Sequence, residues 1–202
     1  YDRGDLLLHP DNPITIAPQA NEDWLMEVRR QSSEASKNAY TVLKEVHKDY
    51  CRIFNDDTNP FLDEYMTDDA DVVLVGMGTM SLPVKVAIRE MRKDGIKVGM
   101  VRLKWVRPFP TEELRASLSR FKAVGVIDRD YSFGSPYGGG ILFNEVKAAL
   151  YGADNEPFMK GFVCGLGGRE VLLADVRSMT EQVLATIKSG KPDNEVTWMG
   201  VR

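Results

Sequence analysis

The stretch Asp71-Val72-Val73-Leu74-Val75-Gly76-Met77-Gly78-Thr79-Met80 decides the fold. A continuous apolar run ends in Gly-x-Gly and passes into a helical pattern. A strand buried on both faces reads this way, because a parallel sheet covered by helices has no wet face to demand alternation. Gly76 and Gly78 permit a tight turn and close approach of a backbone or ligand, since neither carries a Cβ. A dinucleotide fingerprint needs a further glycine where Ser81 stands, and an acid after the next strand where Arg102 stands. The plain strand-to-helix turn is the preferred reading.

Downstream, the spacing predicts a helix over about residues 80–94, closed by Gly95. Ile96–Leu103 reads as a second strand, and Trp105 to Pro110 as a connector whose prolines stop any helix. Thr111 caps another helix, with Glu112 and Glu113 in its first turn. Ala123–Ile127 and Gly161–Cys164 supply further strands. An amphipathic helix runs to about Lys188 and ends at Gly190. The tail Glu195 to Gly200 has the pattern to add a strand to an edge or to dock elsewhere. This alternation predicts βαβ units, a parallel sheet and right-handed crossovers.

Upstream, Pro10, Pro13 and Pro18 make residues 1–20 an extended connector. Leu6, Leu7, Leu8, Ile14 and Ile16 are too apolar for a free tail. A long helix follows from Asn21 to about Phe54. Leu25, Val28, Ser32, Ala35, Ala39, Val42 and Val46 form a stripe at spacings of three and four. Packing within the same chain is favoured for that stripe over reaching another domain. Residues 55–71 are rich in Asp and Glu without Lys or Arg, and read as a solvated acidic linker rather than a metal loop. Leu62–Met66 fits a short edge strand within it. The organisation is thus a connector (1–20), a long helix with acidic linker (21–60) and an α/β domain (61–202).

Two hundred and two residues with a formal net charge of −4 give no footprint for nucleic acid. No apolar run approaches the roughly twenty residues that span a bilayer, and no signal segment opens the chain. Cys51 and Cys164 lie far apart and form no Cys-x-x-Cys, so they cannot build a zinc or iron–sulfur site by themselves. They read as free thiols of a reducing cytoplasm. His9 and His47 are the only histidines, and neither belongs to a nucleophile motif. Carboxylate pairs are read only in the acidic linker. No catalytic residue and no metal ligand is assigned.

Candidate contact or ligand residues fall in three glycine-rich loops at strand ends. Gly76, Gly78 and Thr79 form the first. Residues 128–140 form the second, where Arg129, Tyr131, Phe133 and Tyr137 offer contact surface and Gly134, Gly138 and Gly139 offer freedom. Gly165, Gly167, Gly168 and Arg169 form the third. Loops leaving the carboxyl ends of strands hold the sites of open α/β sheets. An anion such as a nucleotide or coenzyme A phosphate could lie on the first or third loop. No Gly-Lys-Ser/Thr follows the third, so it is not a P-loop.

Several motifs in order carry a family resemblance. They are His9-Pro10-Asp11-Asn12-Pro13 with Ala17-Pro18, Asn21-Glu22-Asp23-Trp24, Asp69 to Gly78, Arg107-Pro108-Phe109-Pro110, Asp128 to Gly134 with Gly138-Gly139-Gly140, and Gly165 to Arg169. Nearly the whole chain resembles the C-terminal part of the α subunit of pyruvate:ferredoxin oxidoreductase, the pyruvate synthase of anaerobic metabolism. The resemblance implies a transketolase C-terminal-like domain: three α/β/α layers and a mostly parallel five-stranded sheet. One edge strand, near Leu62–Met66, would be antiparallel, with Val72–Gly76 between Ile96–Leu103 and Ala123–Ile127. Such enzymes oxidatively decarboxylate a 2-oxoacid with coenzyme A and pass electrons to ferredoxin. They use thiamine diphosphate, Mg2+ and iron–sulfur clusters. The resemblance implies that these groups sit on domains absent here, so that this chain binds none of them. Its partners would be other domains or subunits of the oxidoreductase, with ferredoxin reached only through the complex.

Overall fold

The computed structural model describes Gly4 and residues 7–17, 19–191 and 196–201. Leu6, Pro18 and Glu195, named above, lie outside the described residues. Two compact units result, Tyr1–Val42 and Leu43–Arg202. The strands are β1 (Leu62–Tyr65), β2 (Val72–Met77), β3 (Val98–Leu103), β4 (Ala123–Asp128), β5 (Phe158–Val163) and β6 (Val196–Trp198). The helices are α1 (Leu25–Phe54), α2 (Ser81–Lys93), α3 (Thr111–Leu118), α4 (Ile141–Leu150) and α5 (Leu173–Ser189).

In the Leu43–Arg202 unit the strands lie in the order β1-β3-β2-β4-β5-β6. Only β1 is antiparallel, pairing Leu62 with Leu103 and Tyr65 with Met100. The apolar run of β2 lies between β3 and β4, with Val72 opposite Val98 on one side and Ala123 on the other. That central place explains its sequence, since β2 is buried from Val72 to Gly76. Helices α2 and α5 pack together over one face and α3 and α4 over the other, giving three layers. On the first face Leu74, Met100, Ile127 and Phe162 meet Val84, Ile88 and Met91 of α2 and Val176, Met179 and Val183 of α5. Each such side chain contributes roughly 1.5–3 kcal/mol of burial, which fixes the sheet whose carboxyl ends carry the loops.

The sheet has six strands where the resemblance implies five, because the tail adds β6 in parallel to β5, Gly161 opposite Val196. Its connection also departs from the expected handedness. The steps β2-α2-β3 and β5-α5-β6 use the same face but run along the sheet in opposite directions. They therefore have opposite hands. With the usual right-handed sense for the first, the last is left-handed.

Two helix C-termini follow their sequence signals, whereas Thr111, expected as a cap, is the first residue of α3 behind Pro110, and no side-chain cap bond forms there. Gly95 and Gly190 take left-handed φ values of 82° and 71° beyond α2 and α5, as C-terminal glycines do. Helix α1 differs from expectation: none of its residues is buried, and Leu25, Val28, Val42 and Val46 are exposed. In the first unit, Leu7, Leu8 and Ile16 are likewise exposed. Among the described residues the stripe is therefore exposed at Leu25, Val28, Val42 and Val46.

The acidic segment is anchored as well as solvated. Asp63 pairs with Lys85 at 2.7 Å, Asp69 with Arg92 at 2.6 Å, and Glu64 with Arg120. Asp56 accepts the Thr58 N–H at 2.9 Å. Local turns and long-range ion pairs thus hold residues that the sequence alone presents as a run of like charge.

Candidate functional site

The loop after β4 is the best-defined feature of the carboxyl edge. Asp128 ends β4 and is 1% exposed. Its two carboxylate oxygens accept the N–H groups of Leu142 at 3.0 Å and Phe143 at 2.9 Å, in the first turn of α4. Asp130 accepts the Ile141 N–H at 3.2 Å. Two carboxylates therefore cap one helix, matching the unpaired donors and positive dipole end found there. Gly140 makes room for both. A Cβ at that position would lie 2.3 Å from Asp128 Cγ and 2.5 Å from Asp130 Oδ1. Burial, with the Asp130 carboxyl beside it, pushes Asp128 up from its ordinary 3.8 to about 7, against the lowering effect of the two N–H donors.

The sequence reading misses this pair, having confined carboxylate pairs to the acidic linker. The signal is present as Asp-x-Asp ending an apolar run, followed by three glycines and a helix. The loop is also closed on itself. The Ser132 N–H and the Ser135 hydroxyl both donate to Gly139 O at 3.1 Å.

The aromatics of this loop separate into distinct environments. Tyr131 is half-buried and packs edge-on against Trp198 of β6, with ring centroids 4.9 Å apart, and against Phe133 at 6.0 Å. Phe133 is 93% exposed. Tyr137 is 58% exposed and takes a positive φ of 66°, unusual for a bulky residue. Lys147 Nζ lies 3.5 Å from the centre of its ring. Gly134 and Gly138 have left-handed φ values of 72° and 70°. Gly139 instead packs on the Phe143 ring, where a Cβ would come within 2.5 Å.

Arg129 joins this loop to the one after β5. A Cβ on Gly165 would lie 2.9 Å from Arg129 Nε, and the guanidinium reaches Gly165 O at 3.5 Å. Cys164 is buried below, where its N–H donates to Asp128 O at 3.0 Å. Burial pushes the Cys164 thiol up to about 11, which makes it an inert thiol rather than a nucleophile. Gly165, Gly167 and Gly168 have φ values of 66°, 63° and 82°. Arg169 donates to Gly200 O and so ties the tail to this turn. Between turn and tail lies a cavity of about 190 Å³, bordered by Leu166, Arg169, Trp198 and Met199.

The loop after β2 is plainer. A Cβ on Gly76 would lie 3.5 Å from Met100 Cε and 4.0 Å from Ile127 O, in keeping with the pairing of β2 with β4. Gly78 faces open space, but its φ is 59°. What that position demands is a left-handed backbone rather than tolerance of crowding. Thr79 is exposed in a short 3-10 turn, and Ser81 donates to Gly78 O at 2.8 Å.

Known proteins are similar to this chain in sequence. Residues 70–176, more than half of the chain, match the family described as pyruvate:ferredoxin oxidoreductase core domain II. The ketoisovalerate oxidoreductase subunit VorA of Pyrococcus abyssi is 39% identical over 93% of this chain and 47% of its own length. The pyruvate synthase subunit PorA of the same organism is 32% identical over 100% of this chain and 50% of its own. The chain thus spans about half the length of the curated relatives it matches. A solved split-gene transketolase, an inactive beta4 tetramer, is similar at a TM-score of 0.47 and 20% identity, over 61% of this chain and 41% of that one. On the match across residues 70–176, the chain belongs to the pyruvate:ferredoxin oxidoreductase core domain II family.

Proposed function

We propose that the chain is a non-catalytic structural and interface part of a 2-oxoacid:ferredoxin oxidoreductase, of the α-subunit type. Family membership and subunit relatives support this reading. The observation that carries it is the bare aromatic surface at the carboxyl edge. Phe133 at 93% exposure and Tyr137 stand on a loop closed by its own hydrogen bonds, with Trp198 of β6 beside it. Large rigid side chains presented on a scaffold are what interface hot spots are made of.

The chemistry of the parent reaction belongs elsewhere in the complex. Cys51 and Cys164 are fewer thiols than an iron–sulfur cluster takes, and Cys164 is held protonated. Among the described residues no group of His, Cys, Asp and Glu is placed to hold a metal ion. The reading therefore assigns thiamine diphosphate, Mg2+, clusters and coenzyme A to other domains or subunits, and ferredoxin contact to the complex. Pyruvate is the substrate that the sequence resemblance favours. The higher identity to ketoisovalerate subunits than to pyruvate synthase subunits supports testing the branched 2-oxoacid beside it. No helix among the described residues is long and apolar enough to cross a membrane, and the reading takes the complex as cytoplasmic, without membrane or nucleic-acid partners.

The test is Phe133→Ser in the full enzyme. Loss of a hot-spot aromatic costs about 2 kcal/mol or more, on the order of thirtyfold in affinity. Sedimentation should show weakened association while the melting temperature of the separate chain stays unchanged. Unchanged assembly would remove this loop from the interface.

A further inference from the structure

The geometry points to the cavity between the Gly165–Arg169 turn and the β6 tail as a binding site for a short monocarboxylate with a compact apolar body. The cavity's walls are Val163, Leu166, Trp198 and Met199, with the protonated Cys164 at its base. Those walls suit carbon rather than charge. Its volume of about 190 Å³ corresponds to roughly six water-sized groups at ~30 Å³ each. That is the size of a four-carbon acid.

The charged end of the ligand is specified by Arg169, which lines the cavity, with Arg129 standing beside Gly165 of the same lining. Arg169 lines the cavity and spends one Nη1 donor on Gly200 O. Arg129 lies over Gly165 from the other loop and donates a long bond of 3.5 Å to Gly165 O. A guanidinium has several fixed donors, so both keep donors to offer. A flat carboxylate is the anion whose shape matches that fork. The nearby acid Asp175 is engaged, accepting the Leu172 N–H at 2.8 Å. Gly165 is the residue that lets Arg129 approach, since a side chain there would displace it. The sequence singles out this glycine turn as an anion loop, and the cavity beside it narrows that class to small amphiphilic acids.

The experiment is an NMR titration of the chain with isobutyrate, following the Trp198 indole N–H and the Cys164 and Gly165 amides. Isobutanol, of similar shape without charge, is the control probe. A second titration uses the double variant Arg129→Gln, Arg169→Gln; both arginines are exposed, but Arg169 holds Gly200 O, so the melting temperature and the unliganded Trp198 signal check that fold and tail are retained. The inference expects saturable shifts at these three signals with isobutyrate. It expects affinity about tenfold or more weaker in the double variant, and likewise for isobutanol. It is overturned by absent or non-saturable shifts, or by equal binding of isobutanol or of the folded double variant. Assembly of the larger enzyme plays no part in this readout, so the outcome is independent of the proposed interface.

Discussion

At the scale of single residues, Asp128 carries the sharpest consequence. A buried acid raised to about 7 keeps its proton in the folded chain between pH 3.8 and 7, where the unfolded chain has lost it. The folded state then binds more protons, so stability falls as pH rises through this window. The contribution is fully present below the unfolded value and gone above the folded one. We predict that the melting temperature declines from pH 5 to pH 8 by more in the native chain than in Asp128→Asn, which cannot ionise. The difference should be on the order of 2 kcal/mol. Parallel pH profiles for the two proteins would contradict it. This residue stood in plain view in the sequence, but its role did not. A carboxylate at a strand end reveals its partner only once α4 is folded back over it, with Gly140 leaving the space. Gly78 shows the complementary case: glycine was legible as necessary, while the reason, a left-handed φ in open space, was not.

At the scale of elements, the strands and helices with local signals were read closely. Strand β2, helix α2 with Gly95 and helix α5 with Gly190 all announce themselves by apolar period and terminal glycine. Elements that depend on distant partners were less legible. The three residues of β6 are too few to set a period, and their pairing with Gly161 to Val163 is a tertiary choice. Its left-handed approach also breaks the rule that sequence reasoning relies on. The exposed stripe of α1 is a related case, because heptad spacing shows which face is apolar but not what covers it. The β4–α4 loop and β6 meet through Tyr131 and Trp198, and an aromatic pair of this kind is worth about 0.5–1.5 kcal/mol beyond burial. Tyr131→Ala should therefore lower the stability of the chain itself by about 1 kcal/mol. Hydrogen exchange at Thr197 and Trp198 should quicken. Unchanged exchange there would mean that the ring does not hold the edge strand.

At the scale of the whole molecule, order of motifs did what no single motif could. A Gly-x-Gly turn by itself raised a dinucleotide site only as the weaker alternative to a plain strand-to-helix turn. The sequence of turns, Asp71 to Gly78, Asp128 to Gly140 and Gly165 to Arg169, matches one family across residues 70–176. The fold then brings the second and third turns together through Arg129, and the first beside β4 through Gly76. That juxtaposition, with bare aromatics at its rim, suits a scaffold surface better than a reaction centre. The most direct test of this account is 2-oxoacid-dependent ferredoxin reduction, measured side by side for the purified chain and for the enzyme that contains it. Both receive pyruvate or 2-oxoisovalerate, coenzyme A, thiamine diphosphate, Mg2+ and ferredoxin. The account predicts no turnover by the chain and turnover by the enzyme with at least one of these acids. Ferredoxin reduction by the chain alone, or an enzyme that contains the chain and reduces no ferredoxin with either acid, would contradict it.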